Sequence, residues 1–462
     1  MSALARWFQA NGHQVSGYDK TPTPLTEALS AEGIAIHYAD AVENIPAVVR
    51  ENREQTLVVL TPAIPKDHQE WAWLRAQGYD IRKRSQVLGV LTEGRPTLAV
   101  AGTHGKTTTS SMLAHLLHHA GLPVGAFLGG ISVNLNSNLL LPPKETTVAR
   151  QVLIVVEADE YDRSFLTLHP NVAIITSTDA DHLDIYGDKD ALVESFRQFA
   201  RQIKPGGTLL LNHTADDSVA AAVGPEVRVI RYGLTKNQGP DLFAENITAE
   251  SHQFHFDLHS VAGSVPGMQL AVPGYHNVEN MLAAACVAQL QGVGASSLQA
   301  GVAAYRGVKR RFEFIVTASS DSNSKVYVDD YAHHPREIDA FLRSVRALYP
   351  GKRLRVVFQP HLFTRTRDFL DGFAESLSLA DEVVLLDIYP ARELPLPGIT
   401  SALLLDRITA PAKSLQTKEQ VLTAAQTDDT FDVLATVGAG DIDQLVPRLR
   451  IILDTKWNGA EA

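Results

Sequence analysis

Leu98-Ala99-Val100-Ala101 runs straight into Gly102-Thr103-His104-Gly105-Lys106-Thr107-Thr108-Thr109, and this junction constrains the fold more than any other stretch. The apolar run reads as a buried strand. From Ser110 onward, Met112, Leu113, Leu116 and Leu117 recur at helical spacing, so a helix follows. Strand, glycine-bearing loop and helix together form a layout in which backbone N–H groups and the positive end of a helix dipole converge on an anion. Within that loop Lys106 has the reach for terminal phosphates, and the Thr107 hydroxyl is placed to ligate Mg²⁺. Gly102, Thr103, His104, Gly105 and Thr108 complete the candidate phosphate-binding loop. Val100 stands where the usual pattern has its first glycine, so an ordinary strand-to-helix turn is the alternative reading.

Two further apolar runs end in polar clusters. Val152-Leu153-Ile154-Val155-Val156 leads into Glu157-Ala158-Asp159-Glu160, and Val172-Ala173-Ile174-Ile175-Thr176 leads towards Asp181-His182-Leu183-Asp184. Continuous apolar runs of this length mark parallel strands buried on both faces. Ligands gather outside the carboxyl ends of such strands. Thr107, Glu157 and His182 therefore form a candidate Mg²⁺ set, a hydroxyl, a carboxylate and an imidazole in one crevice with waters completing the octahedron. Solvated strand-end acids are the plainer alternative.

The chain has 462 residues, too many for one core. Its 41 basic and 52 acidic residues give a net charge of −11 with no basic face, which argues against a nucleic-acid partner. A single cysteine, Cys286, excludes an intrachain disulfide and suits a reducing compartment. No apolar run is long enough to span a bilayer and no signal-peptide pattern appears, so the cytoplasm is the expected location.

The amino-terminal third reads as a helix from Ser2 to Phe8, a strand from His13 to Asp19, then further alternations with strands at Ile34–Ile36 and Thr56–Leu60. In a dinucleotide-type fold a strand and glycine loop precede such a helix; here they are missing. Asp19, at a strand's carboxyl end, is a candidate nucleotide contact, or a turn aspartate before Lys20 and Pro22. Arg82-Lys83-Arg84 reads as a solvated turn, Gly129-Gly130 as a turn closing a strand from Val124, and Leu139 to Arg150 as a surface loop. Asn277 and Asn280 share one face of a helix over Met281–Gln291 and its entry, where they could line a nucleotide cleft; capping by Asn277 is the plain alternative. The last third reads as another α/β unit. His333, His334, His361, Arg365 and Arg367 gather at its strand ends, an arrangement suited to carboxylate or phosphate. Zinc is not expected, because the adjacent His333-His334 pair lacks ligand spacing.

Taken in order, Ala101–Thr109, Glu157–Glu160, Asp181–Asp184, Pro273–Asn277, Gly307–Phe312, Asp329–Pro335, Phe358–His361 with Thr364–Arg367, and Gly438–Ile442 resemble the Mur ligases of peptidoglycan synthesis over nearly the whole chain. The resemblance implies an α/β protein of three domains. They are a Rossmann-like amino-terminal domain for UDP-sugar, truncated at its start (1–93), a central P-loop ATPase-type domain (94–311), and a carboxyl-terminal Rossmann-like amino-acid domain (312–462). It implies an ATP- and Mg²⁺-dependent ligase joining L-alanine to the carboxylate of UDP-N-acetylmuramate, working as a monomer or homodimer. By the same resemblance Lys106 holds the β/γ-phosphates, and Thr107, Glu157 and His182 serve magnesium. Asn277 and Asn280 lie by the nucleotide, and Arg311 and Asp330 close over ATP. Tyr331, His333 and Arg365 meet the amino acid, with His333 the candidate general base. Family members for later residues carry a carbamylated lysine after the Asp-His cluster. No lysine lies between Lys189 and Lys204 here, which agrees with the L-alanine branch. Many members carry arginine where this chain has Leu362. A sister ligase attaching a recycled murein tripeptide, and a generic P-loop phosphotransferase, are the alternative functions.

Overall fold

In the computed structural model, which describes residues 1–61, 64–65, 67–143, 151–181, 183–250, 253–318, 325–391, 393–428 and 430–459, the chain divides into two units. The first comprises 1–233, 240–242 and 283–298; the second comprises 234–239, 243–282 and 299–462.

After an opening helix over Ser2–Ala10, the first unit holds two small parallel strand pairs, β1 (Ser16–Tyr18) with β2 (Ala35–His37) and β3 (Leu57–Leu60) with β4 (Asp80–Lys83). The basic run expected as a solvated turn is instead the end of β4 and the start of a helix, Arg84–Thr92. Pairing with β3 satisfies the backbone there while Arg82 and Lys83 stay exposed.

The large sheet of this unit follows: β5 (Thr97–Ala101), β6 (Val124–Ser132), β7 (Ser137–Leu140), β8 (Leu153–Glu157), β9 (Val172–Ile175), β10 (Thr208–Asn212) and β11 (Arg228–Tyr232). Among the described residues the order is β11-β10-β9-β5-β8-β6-β7, with β7 antiparallel at one edge and the rest parallel. The Gly129-Gly130 pair does not turn. β6 runs through it, and the expected surface loop begins as β7, paired back onto β6. Glycine permits a turn but does not compel one, and the edge pairing decides here. Residues 144–150 of that expected loop lie outside the described residues.

Alternate residues of the central strands (Ala99, Ala101, Ile154, Val156, Ala173 and Ile175) pack with Phe165, Phe196 and Phe199 in one buried cluster. The Phe165 and Phe199 rings stack at 4.9 Å. Each such ring contributes about 1.5–3 kcal/mol by leaving water. β5 lies between β8 and β9, so the loop after it opens between two neighbouring strand ends. α1 (Lys106–His119) follows that loop.

The second unit holds a three-stranded antiparallel sheet among its described residues: β12 (Phe243–Glu250), β13 (Gln253–His259) and β14 (Val265–Leu270). β12, whose polar and apolar residues do not alternate cleanly, is not legible as a strand in the sequence. α2 (Tyr275–Leu290) then begins in this unit, six residues before the expected Met281. Beyond it come β15 (Glu313–Thr317), β16 (Val326–Asp330), α3 (Pro335–Leu348), β17 (Leu354–Phe358), α4 (Phe363–Asp368), β18 (Glu382–Leu385), β19 (Ala412–Leu415) and β20 (Val433–Val437). The described strands order β15-β16-β20-β17-β18-β19, with β15 alone antiparallel. One face of this sheet buries Val356, Val383 and Ala435 against Ile338, Phe341 and Val345 of α3. The other buries Val357, Val384 and Leu434 against Leu445, Leu449 and Leu453. Among the described residues no helix is long and apolar enough to cross a membrane.

Candidate active site

The loop after β5 is held open by specific contacts. Gly102 has φ +129°, and a Cβ there would lie 2.8 Å from the Ser177 nitrogen and 2.9 Å from that of Thr176. Only glycine sits in that conformation and space without strain. Thr103 Oγ1 pairs with Ser177 Oγ at 2.8 Å, and the His104 N–H donates to the same Ser177 oxygen at 2.9 Å. The Asp179 N–H donates to Thr103 Oγ1 at 3.2 Å, while Thr176 Oγ1 donates to the His104 carbonyl. Gly105, at φ +80°, leads into α1, and among the described residues no side chain caps that helix. Its first-turn N–H groups and dipole are thus presented to an anion. Thr108 is buried in the first turn.

Lys106 and Glu157 stand at the mouth of this loop. Lys106 Nζ donates to the Gly102 carbonyl at 2.7 Å and to Glu160 at 2.8 and 2.9 Å. Burial alone pushes the ammonium down. The attraction of Glu160, then Asp159 and Glu157, outweighs it and holds the lysine charged, above its ordinary range. Glu157, paired with Val100 across the β5–β8 ladder, accepts from the Gly129 N–H at 2.9 Å and from the Thr107 hydroxyl. Its carboxyl is pushed up by burial, against the pull of Lys106. A Cβ on Gly129 would fall on that carboxylate, so β6 leaves a notch in which it sits. A hydroxyl and a carboxylate, hard oxygen donors on a partly uncompensated buried charge, fit Mg²⁺. His182, expected in the same set, lies outside the described residues.

The second unit carries another cluster. Asp330, at the end of β16, accepts the N–H groups of Phe312 and Ala332 at 2.7 Å each. Burial pushes its carboxyl up to about 6, against the nearby Arg311 and those N–H groups. The guanidinium carbons of Arg310 and Arg311 lie 5.2 and 5.1 Å from the Tyr331 ring centroid. Arg310 also bonds the fully buried Asp329 at 3.0 Å. His333 Nδ1 lies 3.0 Å from the Tyr331 carbonyl, and its ring meets that of His361 at 6.2 Å. Arg365, buried on α4, approaches His361 Nδ1 at 3.4 Å. Asn277 and Asn280 do share a face, with side chains 3.5 Å apart. Asn277 lies inside the helix and donates to the Pro273 carbonyl at 2.6 Å, so it is not a cap. Next to it, burial pushes His276 down to about 4, Arg311 adding to the shift.

Asp19 is exposed just after β1, with Oδ1 accepting the Thr21 N–H at 3.2 Å. Among the described residues no group of three or more His, Cys, Asp and Glu is arranged to hold a metal. Residue-by-residue reading missed Glu160, the resting partner of Lys106; Thr176 and Ser177, which pin the loop; and Glu337, beside Arg311 and His333. Glu160 carried a usable signal, since it closes the acidic run after β8. Thr176 and Ser177 carried little, because hydroxyls after a strand are commonplace.

Sequence comparison matches residues 1–95 to the Mur ligase family catalytic domain, 100–288 to the Mur ligase middle domain and 310–443 to the Mur ligase glutamate ligase domain. The chain is 48% identical over 457 residues to the UDP-N-acetylmuramate–L-alanine ligase of Phocaeicola vulgatus, covering 99% of this chain and 96% of the relative. It is 47% identical over 455 residues to the enzyme of the same name from Porphyromonas gingivalis, covering 98% and 97%. Among solved structures it superposes on a UDP-N-acetylmuramate–alanine ligase from Thermotoga maritima with TM-score 0.81 and 25% identity, covering 99% and 97% of the two chains.

Proposed function

The chain belongs to the Mur ligase family, and from that premise we propose that it joins L-alanine to the carboxylate of UDP-N-acetylmuramate at the expense of ATP, in peptidoglycan precursor synthesis. The near-full-length identity to the Phocaeicola ligase carries this reading. The contact of Thr107 and Glu157 at the mouth of the glycine loop supports it chemically. Domain limits of 1–93, 94–311 and 312–462 accompany it, as do a cytoplasmic location and a monomeric or homodimeric state.

The muramate carboxylate attacks the γ-phosphate, ADP leaves, and the acyl phosphate gives the amine a good leaving group to displace. Lys106 changes partners in this scheme. It leaves Glu160 and the Gly102 carbonyl to meet the phosphates, while the loop N–H groups receive the remaining anionic oxygens. Thr107 and Glu157, with His182, would hold Mg²⁺, which would neutralise phosphate charge. Asn277, Asn280, Arg311 and Asp330 serve the nucleotide, and Asp19 the UDP-sugar. Tyr331 and Arg365 hold the amino acid, Arg365 by gripping its carboxylate. His333 takes the amine proton.

The test is ADP release with single omissions. ADP should form at an appreciable rate only with UDP-N-acetylmuramate and L-alanine both present. Equal release without the sugar nucleotide refutes the reading, and faster turnover with the murein tripeptide than with L-alanine moves the chain to the sister activity.

A further inference from the structure

Glu337 stands in the first turn of α3, four residues after His333. Its Oε2 accepts the His333 backbone N–H at 3.0 Å and lies 3.3 Å from the ring nitrogen Nδ1. The Tyr331 carbonyl is a second acceptor, 3.0 Å from the same nitrogen. A carbonyl and a carboxylate both face Nδ1 and neither donates, so the proton of neutral His333 sits on Nδ1 and Nε2 carries the lone pair. The side chains are only 18% and 13% exposed, so the attraction between carboxylate and imidazolium is weakly screened. Other groups face the pair. Arg311 Nη1 lies 4.0 Å from Glu337 Oε1, the Tyr331 ring is 5.4 Å from that of His333, and the His361 ring is 6.2 Å away. Arg365 of α4 approaches His361 in turn. Those cations oppose a positive His333, and the carboxylate of Glu337 favours it.

Resting on the reading of His333 as general base, we propose that Glu337 is its positioning residue, holding the ring by backbone and Nδ1 so that Nε2 meets the incoming ammonium, and stabilising the imidazolium that results. Nε2 takes one proton from the ammonium. The freed lone pair forms the C–N bond at the acyl carbon, the C–O bond to phosphate breaks with its electron pair, and the second amine proton leaves with the phosphate. Arg311 draws on the same carboxylate from its other oxygen, which ties the strength of the base to the residue assigned to the nucleotide.

The experiment compares pH profiles of kcat for the full chain and its Glu337→Gln, Glu337→Asp and His333→Ala variants. Glu337→Gln should lower kcat roughly 10- to 100-fold with the KM for ATP and UDP-N-acetylmuramate within about twofold. Its acid limb should move to lower pH by about one unit, since the imidazolium has lost its counter-charge. Glu337→Asp should restore part of both. His333→Ala should abolish the limb. A Glu337→Gln limb that stays in place while that of His333→Ala vanishes overturns the role of Glu337 and leaves the base intact. A limb that survives in His333→Ala overturns the base and this inference with it. A readout independent of turnover is the ¹⁵N spectrum of the ligand-free protein. The imidazole missing from His333→Ala should show the Nδ1–H pattern, and the Nε2–H pattern contradicts the proposal even if Glu337→Gln fails to fold.

Discussion

Gly129→Ala adds one methyl group at the edge of the proposed metal site. Gly129 is not among the described residues with left-handed backbone, so alanine is tolerated there without strain. The new Cβ would nevertheless lie far inside contact distance of both Glu157 carboxylate oxygens. What it meets is the far end of a flexible side chain, so Glu157 swings aside and β6 stays in place. The swing forfeits a charge-assisted hydrogen bond from the Gly129 N–H, now 2.9 Å, and uncouples Glu157 from Thr107. One such bond is worth about 1.5–3 kcal/mol, which converts to roughly a 10- to 150-fold weaker apparent affinity. The assay is ADP release against Mg²⁺ concentration, alongside a thermal melt. Half-saturating Mg²⁺ should rise by that factor while the melting temperature falls by no more than the single lost bond allows, about 2–4 °C per kcal/mol. An unchanged Mg²⁺ dependence refutes the assignment of Glu157, and a collapse of the melting temperature refutes the argument that the methyl disturbs only a side chain.

Three further outcomes follow from the same geometry. Gly102→Ala forces a positive φ against the backbone of Thr176 and Ser177, and should cost about 1–3 kcal/mol, seen as a lower urea midpoint; an unchanged midpoint contradicts the close approach. Asp330 binds its proton more tightly when folded, at about 6 against an ordinary 3.8, so its contribution to stability is full below the ordinary value and is lost as pH rises through about 6. Asp330→Asn should therefore gain on the wild type by up to about 3 kcal/mol between pH 4 and pH 7, and a pH-independent difference in urea unfolding contradicts the buried charge. Arg365→Lys, which keeps the charge but loses the planar fork, should raise the KM for L-alanine roughly 10- to 100-fold with that for ATP unmoved; equal changes in both place Arg365 elsewhere.

The parallel strands were legible because burial on both faces writes itself as unbroken apolar sequence, as in Val152–Val156 and Leu354–Phe358. The glycine loop was legible because its conformations demand particular residues. β12 was hidden because its apolar pair Phe243-Ala244 and polar pair Glu245-Asn246 break the alternation of a one-faced strand, and its ladder to β13 shifts register between Glu245 and Thr248. The Gly129-Gly130 pair misled because glycine signals freedom, whereas its use here is to leave room for Glu157. Lys106, Thr107 and Glu157 could be assigned to one site from strand ends alone. The partners that hold them, Glu160 and Ser177, depend on which strands lie side by side, and that order of β9, β5 and β8 is set by packing and not by any local pattern. Glu337 is hidden in the sequence for a similar reason, since an acid in a helix's first turn ordinarily serves the helix.

The most direct measurement of the central claim follows oxygen from the sugar carboxylate. UDP-N-acetylmuramate labelled with ¹⁸O in its carboxylate is turned over with ATP and L-alanine, and the products are weighed. Passage through an acyl phosphate predicts one ¹⁸O atom in the released phosphate and one retained in the new amide. Phosphate without label, with the displaced heavy atom released as water instead, contradicts it.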